Sequence, residues 1–412
     1  MTSEPDKPKA STSTHTAGTA RAVDALPRHI FSHTPETLSA WCVHRGMPAF
    51  RGAQILEWVY QKGVIDPAAM TNLSAHDRQT LAREMDFLTG QIVQRQSASD
   101  GTEKLLIAWD QPGVGAEARQ TTECVMIPSD DRRTACVSSQ VGCPVGCKFC
   151  ASGLGGLESN LSSGRIVEQV WRLREMLRDG QGAGGRVSRF ARDFPRITNV
   201  VFMGMGEPLA NFANVLGAVR TICALWGHGI SARKVTISTV GLPAAIERLA
   251  EQCELPITLA LSLHAPTDAI RRELIPWAQY STIRQLLDAC AKWFAKTGRE
   301  ITLEYTLLRG VNDRAEHAEE LARLAKSLRA NVNLIRYNEN SGLPFGRPRD
   351  EDVHEFQRRL REASVNSHIR ASRGRDIAAA CGQLRHEARG GGGGGGVGGG
   401  GAELTIKGKA QG

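Results

Sequence analysis

Apolar side chains recur at helical spacing through residues 28–90, which predicts a small helical domain. Thr34 is followed by a proline, the pattern of a helix start, and Gly46 marks the end of that helix. A second helix is expected over Arg51–Lys62, where apolar residues share one side. A third begins at Ser74, whose hydroxyl can cap its first turn.

Residues 91–130 show a different pattern of short, strand-like apolar runs. The runs lie at Lys104–Trp109 and Cys124–Ile127, and the turn signal Pro112-Gly113 separates them. We therefore expect a connector of short strands after the helical domain.

Beyond residue 130, six β-rich runs alternate with helical stretches. The runs are Thr134–Ser138, Asn199–Met203, Lys234–Thr239, Ile257–Leu263, Ile301–Leu307 and Asn331–Tyr337. Such alternation is typical of a parallel sheet whose strands are connected by helices. Both a doubly wound sheet and a partial (β/α) barrel agree with it. Polar or reactive residues follow nearly every run, which favours a barrel, because the loops after its strands share one mouth.

The two ends of the chain differ in composition from the rest. Residues 1–27 are polar and residues 386–412 include a glycine run, so we expect both to be disordered, with a core domain over 131–385. We find no secretory signal and no apolar run near the roughly 18 residues of a membrane span, so we expect a soluble cytoplasmic protein. The net charge of +8 is a mild excess that permits a nucleic-acid partner without establishing one.

Ten cysteines in a long chain without a secretory signal indicate metal or redox chemistry rather than a disulfide framework. Cys143, Cys147 and Cys150 have the spacing C-x3-C-x2-C after the first predicted parallel strand. Thiolates so close together suit zinc or an iron–sulfur cluster. With Cys136 as a fourth ligand they fit a structural zinc site. Alone they fit a [4Fe–4S] cluster with one iron open to a substrate or cofactor.

This cysteine spacing at the start of a β/α chain resembles the radical S-adenosylmethionine (SAM) superfamily. Gly206-Glu207-Pro208, after the next predicted strand, resembles the segment that supports the SAM amino group there. Five further segments resemble the RlmN/Cfr family of RNA methyltransferases: Cys136–Cys143, Val201–Pro208, Leu261–Ala265, Val332–Ile335 and Ala379–Leu384. The resemblance runs from about residue 28 to residue 385.

The resemblance implies an α/β fold, a partial (β/α)6 radical SAM barrel preceded by the small helical domain. It implies that Cys143, Cys147 and Cys150 hold a [4Fe–4S] cluster. It also implies a set of SAM contacts: Gly206, Glu207, Ser238, Ser262, Leu263, His264 and Asn338.

The resemblance also implies catalytic roles for three further residues. It implies that each turnover uses two SAM molecules. Cys381 takes a methyl group from one SAM, and the radical made from the second SAM activates that methyl group for addition to adenine. Cys136 then releases the RNA by forming a disulfide with Cys381, and Glu123 accepts the proton.

Substrates and partners are implied in the same way. Family members methylate adenosine C2 in 23S rRNA near the peptidyl-transferase centre and in tRNA, or C8 of the same rRNA base in the Cfr branch. The motifs do not separate the two, and we prefer C2 as the housekeeping activity. An external electron donor, a thiol reductant and a monomeric enzyme are expected. The alternative from another class is a non-enzymatic zinc or iron–sulfur RNA-binding protein.

RNA binding is expected at two basic segments, and the resemblance implies that the helical domain also aids RNA recognition. The target base must leave its stack to reach a buried reaction centre, so the substrate is a flipped or looped-out adenosine. We expect phosphate contacts from Arg370–Arg375 and from a loop that carries Arg186, Arg189, Arg192 and Arg196.

Overall fold

The computed structural model describes residues 27–111, 119–179, 196–328 and 330–384. Several sequence predictions lie outside these residues: the disordered ends, the Pro112-Gly113 turn, and Arg186, Arg189 and Arg192.

The described residues form ten α-helices. They are α1 (Pro35–His44), α2 (Arg51–Leu56), α3 (Ala75–Glu84), α4 (Ser163–Asp179), α5 (Phe212–Cys223), α6 (Pro243–Gln252), α7 (Asp268–Leu274), α8 (Ile283–Thr297), α9 (Ala315–Leu328) and α10 (Asp350–Glu362). Within this part of the chain, no helix has both the length and the apolar character that crossing a membrane requires.

The predicted helix starts near the N-terminus are confirmed. Thr34 and Thr37 form a capping box at the start of α1, each side chain accepting a hydrogen bond from the other residue's backbone N–H. The Ser74 hydroxyl accepts a hydrogen bond from the backbone N–H of Asp77 at 3.1 Å and so caps α3. Because these contacts are short-range, the sequence alone located the starts of both helices.

The second predicted helix is shorter than expected. α2 ends at Leu56, and Glu57–Gln61 form a π-helical turn. The indole N–H of Trp171 on α4 donates to the carbonyl of Val59 at 3.2 Å. The Val59 carbonyl therefore has a hydrogen-bond donor on α4 and does not need the backbone N–H four residues later. This tertiary hydrogen bond compensates for the α-helical bond that the wider turn lacks.

In the part of the chain that the structure describes, ten strands form one sheet and two more form a separate hairpin. In order across the sheet they are β1 (Gly90–Ser97), β2 (Glu103–Trp109), β3 (Thr121–Pro128), β4 (Arg133–Cys136), β7 (Asn199–Phe202), β8 (Val235–Thr239), β9 (Thr258–Ser262), β10 (Thr302–Leu307), β11 (Asn331–Arg336) and β12 (Ser367–Arg370). The hairpin consists of β5 (Gln140–Gly142) and β6 (Leu157–Asn160).

The strand order confirms the partial barrel. β4 and β7 through β12 are parallel, and each pairs with the next parallel strand along the chain. A doubly wound sheet would reverse direction at a switch point, and this order has no reversal. The six predicted strands are β4 and β7–β11. The seventh parallel strand, β12, was not predicted, because its sequence is short and basic.

The segment over residues 91–130 belongs to the same sheet. β1, β2 and β3 pair antiparallel with one another, and β3 pairs antiparallel with β4. The main hydrophobic core also extends from the N-terminal helices into the barrel. The buried Glu168 carboxylate on α4 accepts a hydrogen bond from the Thr89 backbone N–H at 2.9 Å and lies 3.1 Å from the His29 ring. Burial and these contacts tie the helical region to the barrel.

Candidate active site

The cysteine segment is a short loop between β5 and β6. The Cys143 N–H donates to the carbonyl of Gly156 at 2.8 Å, and the Cys150 N–H donates to the carbonyl of Cys147 at 3.1 Å. The loop borders a cavity of about 150 Å³, which we call the cluster cavity. Its walls include Cys143, Cys147, Cys150, Gly206, Glu207, Ser238, Ser262, His264, Glu304, Arg370 and Cys381.

The donor chemistry of this cavity fits a cluster. Burial raises the pKa of all three thiols, that of Cys143 to about 12, so they ionise only when a positive centre replaces the proton. No group of three or more His, Cys, Asp and Glu among the described residues could hold a metal ion. Each cysteine ligand of a [4Fe–4S] cluster binds a different iron, so the three thiols need not converge on a single metal ion. Cys136 lines a different cavity, so the four-cysteine zinc site is not assembled.

Gly206 and Glu207 lie in the loop after β7, at the carboxyl end of the sheet. Gly206 has φ +106°, and a Cβ atom there would lie 2.7 Å from both the Gln140 Cβ and the Ser139 Oγ. Only glycine fits this approach of the loop to the β5 segment. The buried Glu207 carboxylate accepts backbone hydrogen bonds at 2.9 Å from Leu209 and from Val240. Burial raises the Glu207 pKa, and these two bonds oppose that rise.

Two serines meet at the ends of β8 and β9. The hydroxyls of Ser238 and Ser262 lie 3.0 Å apart and form a polar edge to the cluster cavity. The Leu263 side chain is instead buried in the main core, and its carbonyl accepts a hydrogen bond from Arg271 at 3.2 Å. The two serines therefore line the cavity. Leu263 does not line it, although its chain neighbours Ser262 and His264 do.

His264 is held in a left-handed backbone conformation beside the cluster cavity, with φ +56°. Its Nδ1 accepts the Thr306 backbone N–H at 3.1 Å, and its carbonyl accepts the Asn312 side-chain amide at 2.8 Å. Burial, helped by nearby Arg271, lowers the His264 pKa to about 3. The ring is thus neutral, and since Nδ1 accepts a hydrogen bond, Nε2 carries the proton.

Cys136 and Cys381 line a second cavity, of about 60 Å³, which we call the two-cysteine cavity. Cys136 ends β4, and Cys381 lies in the loop after β12. Asn338 borders the same cavity, and its side-chain amide donates to the Cys381 carbonyl at 3.4 Å. Burial raises the Cys136 pKa to about 12, Cys381 adds to the rise, and Arg370 opposes it. Because Cys381 lines both cavities, the two adjoin.

All ten cysteines are free in the structure, including Cys136 and Cys381. The structure therefore gives no support for the disulfide that the family resemblance implies, which would form only during turnover. Both residues are thiols that line one cavity.

Glu123 lies on β3 and borders neither cavity. Its carboxylate forms a buried ion pair with the Lys104 ammonium group at 2.7 Å. Residues 123, 125 and 127 alternate along β3 onto one face, and Val125 and Ile127 on that face pack with Cys136. Glu123 therefore shares the face of the sheet that carries the two-cysteine cavity.

Sequence reasoning did not predict the surroundings of three charged residues, Arg370, Glu304 and Arg271. Arg370, expected to bind RNA phosphate, lines both cavities, and its guanidinium lies 3.6 Å from the Glu304 carboxylate. Glu304 on β10 is 3% exposed, and Arg271 is 1% exposed. A charged residue within an apolar strand, as in Thr302–Leu307, is the signal that would have marked Glu304.

Arg196 lies far along the sheet from these cavities. It is exposed and precedes β7, whereas both cavities lie at the carboxyl ends of the parallel strands. The expected phosphate contact at Arg196 is therefore placed at the opposite edge of the sheet.

Two family models match the chain. Residues 29–86 match the ribosomal RNA large subunit methyltransferase N-terminal domain, and residues 137–325 match the radical SAM superfamily.

Curated and solved proteins extend the match over most of the chain. A probable dual-specificity RNA methyltransferase RlmN from Thermosynechococcus vestitus is 44% identical, over 84% of this chain and 95% of its own. The dual-specificity RNA methyltransferase RlmN from Dichelobacter nodosus is 40% identical, over 86% and 93%. The crystal structure of a radical SAM methyltransferase from Sphaerobacter thermophilus superposes with a TM-score of 0.80 at 38% identity, over 88% of this chain and all of that one.

Proposed function

Because the chain belongs to the RlmN family of radical SAM RNA methyltransferases, we propose that it methylates C2 of adenosine in both 23S rRNA and tRNA. The observation that supports this most strongly is the adjoining pair of cavities, which share Cys381. A cofactor-binding cavity alone fits any member of the superfamily. A second cavity with two thiols fits an enzyme that passes a methyl group through a cysteine.

Two groups of residues in the cluster cavity have separate roles, one in holding the cluster and the other in binding SAM. Cys143, Cys147 and Cys150 hold the [4Fe–4S] cluster, which when bound supplies the electron that cleaves SAM. Gly206, Glu207, Ser238, Ser262 and His264 line the same cavity and would hold SAM there. Neutral His264 offers a hydrogen-bond donor at Nε2 without adding a positive charge near the sulfonium of SAM.

The remaining residues act on the methyl group and on the RNA. Cys381 carries the methyl group at the junction of the cavities, and Asn338 holds the backbone of that residue. Cys136, in the same cavity, provides the second thiol. Its sulfur would bond to the Cys381 sulfur as the bond from that sulfur to the RNA-linked carbon breaks, and the carbon would take a proton to become the methyl group. Glu123, on the same face of the sheet, accepts the proton from the adenine ring.

The setting follows from this chemistry. Cluster ligation and thiol turnover both need a reducing compartment, which supports a cytoplasmic location. The enzyme is proposed as a monomer. An external electron donor would be needed for the cluster, and a thiol reductant would return Cys136 and Cys381 to thiols. The helices over residues 28–90 contribute to RNA recognition.

Nucleoside mass spectrometry tests the proposal. Anaerobically reconstituted protein is incubated with unmodified rRNA and tRNA, SAM and a reductant, alongside the variants Cys381→Ala and Cys290→Ala. We expect 2-methyladenosine in both RNA pools from the wild type and from Cys290→Ala, whose thiol is buried in α8, and none from Cys381→Ala. A product of 8-methyladenosine would assign the Cfr-type reaction instead. Absence of SAM cleavage would support the non-enzymatic RNA-binding alternative.

A further inference from the structure

The β1–β2 hairpin holds the loop that carries Cys381. At its turn, the Ser99 backbone N–H donates to the Asp376 carboxylate at 2.8 Å. The Asp100 carboxylate accepts the Gly374 backbone N–H at 3.0 Å. These contacts join residues more than 270 positions apart. Gly374 and Asp376 each lie within seven residues of Cys381 along the chain. The position of Cys381 thus depends on a hairpin that precedes the barrel.

Lys104 makes the innermost contact between the hairpin and this loop. Its ammonium group lies 2.7 Å from the Glu123 carboxylate and donates to the Ala378 carbonyl at 3.3 Å. Lys104 is 7% exposed and Glu123 is 8% exposed. Since lysine has three N–H donors and no acceptor, one ammonium group can serve both partners.

The strand register explains why this charged pair is buried. Lys104 on β2 lies opposite Val125 on β3, and Val125 lies opposite Cys136 on β4. Directly opposed residues in an antiparallel sheet point to the same face. The Lys104 side chain therefore lies on the face that carries the two thiols. A buried ion pair adds little stability over an apolar pair of similar volume, so stability alone does not explain its presence.

The loop conformation at Ala378 needs support from outside. Ala378 has φ +50°, a left-handed conformation that disfavours any residue with a Cβ atom by about 1–2 kcal/mol. Such a conformation persists only where surrounding contacts maintain it. Lys104 bonds the carbonyl of this same residue, three positions before Cys381.

We propose that Lys104 is a positioning residue that fixes the Glu123 carboxylate and the Cys381 loop relative to each other. It rests on the proposed roles of Glu123 and Cys381. The ammonium group also stands next to the carboxylate that takes up the proton. Removing Lys104 would leave both the Glu123 carboxylate and the Ala378 carbonyl without this shared partner.

Hydrogen exchange tests the structural half of the proposal, whatever the activity of the protein. Exchange in peptides that span residues 374–384 is compared among the wild type, Lys104→Met, Lys104→Arg and the control Arg95→Met. Arg95 forms an ion pair with Glu103 on the same hairpin but is 46% exposed. We expect the fastest exchange in Lys104→Met and intermediate exchange in Lys104→Arg, which keeps a cation. Arg95→Met should exchange like the wild type. Equal exchange in Lys104→Met and Arg95→Met would overturn the proposal.

Single-turnover RNA methylation by enzyme already methylated on Cys381 tests the chemical half. We expect Lys104→Met to lower the rate about tenfold, and we expect Lys104→Arg, which keeps a cation beside Glu123, to recover most of the rate. Asp376→Asn loosens the same loop without contacting Glu123 and should lower the rate less than Lys104→Met does. Equal rates in Lys104→Met and Asp376→Asn would reduce Lys104 to a loop anchor and overturn the coupling. If the loop loosens in Lys104→Met but the wild type makes no methyladenosine, the proposed function fails and the loop assignment stands.

Discussion

The Glu207 carboxylate accepts the backbone N–H of Val240 at 2.9 Å and thereby joins the loop after β7 to the loop after β8. Both loops border the cluster cavity, so one side chain shapes two parts of the proposed SAM site. The same carboxylate also accepts the Leu209 N–H. Most of its acceptor capacity is thus used in holding the loops.

Replacing Glu207 by glutamine is expected to weaken SAM binding about tenfold or more. The amide NH2 group would face a backbone N–H, and a buried donor without an acceptor costs about 1–3 kcal/mol. Equilibrium dialysis with SAM measures the effect, with exposed Glu251→Gln on α6 as the control. Equal affinity in the two variants would contradict the assignment of Glu207 to the SAM site.

Gly206→Ala is expected to destabilise the protein more than Gly229→Ala. Both glycines have positive φ, but the new Cβ at Gly206 would lie 2.7 Å from its nearest neighbours, whereas nothing lies within 4 Å at Gly229. Gly229, with φ +65°, lies in the left-handed region that alanine can adopt, whereas Gly206, with φ +106°, lies outside it. The difference therefore reports the close approach together with the greater backbone strain at Gly206, about 1–3 kcal/mol. Denaturant unfolding of the two variants measures it. Similar losses would show that the loop moves aside freely.

Cys147→Ala is expected to abolish cluster binding, because each of the three thiols in the cluster cavity would hold one iron. Iron and sulfide content and the visible absorption spectrum after anaerobic reconstitution measure the cluster. Cys290→Ala, at a buried thiol in α8, should keep both. A full complement of iron in Cys147→Ala would remove that residue from the ligand set.

Cys136→Ala is expected to accumulate RNA bound covalently to Cys381, since the second thiol of the two-cysteine cavity is lost. Denaturing gel electrophoresis with labelled RNA detects the adduct, and adding Cys381→Ala should remove it. Cys124→Ala is the matched control, because Cys124 lies on the neighbouring strand but packs in the main core. Adduct formation in Cys124→Ala at the same level would refute a specific role for Cys136.

His33 is expected to make the protein less stable in acid. Burial lowers its pKa to about 4 in the folded state, against 6.5 for the free side chain. Below pH 6.5 the unfolded chain therefore binds a proton that the folded chain does not, so stability falls from pH 6.5 towards pH 4 and is independent of this group above that range. The slope from one such group is at most about 1.4 kcal/mol per pH unit.

Melting temperatures between pH 4 and pH 8 measure this dependence. His33→Gln should flatten the acidic fall relative to the wild type, whereas His76→Gln, at an exposed position on α3, should not. A fall of equal steepness in His33→Gln would assign the acid sensitivity to other groups.

The sequence predicted those features that depend on short spacing along the chain. The caps at Thr34 and Ser74 bond residues three positions away, so their partners lie within the local sequence. The alternation of six strands and helices gave the partial barrel, because each strand pairs with the next along the chain. The spacing of Cys143, Cys147 and Cys150 likewise placed three thiols in one loop.

Only the tertiary structure determined which distant residues meet. The basic segment near residue 370 predicted a solvent-exposed RNA contact, yet Arg370 ends an unpredicted strand and faces Glu304 at 3.6 Å. Lys104 and Glu123 belong to separate strands, and the Ala378 carbonyl that Lys104 binds is 274 positions away. Short sequence patterns predict helices and strands because the periodicity of these elements depends on residues close together in the chain. Burial of a charge depends on its partners, and strand register and loop packing bring those partners from anywhere in the chain.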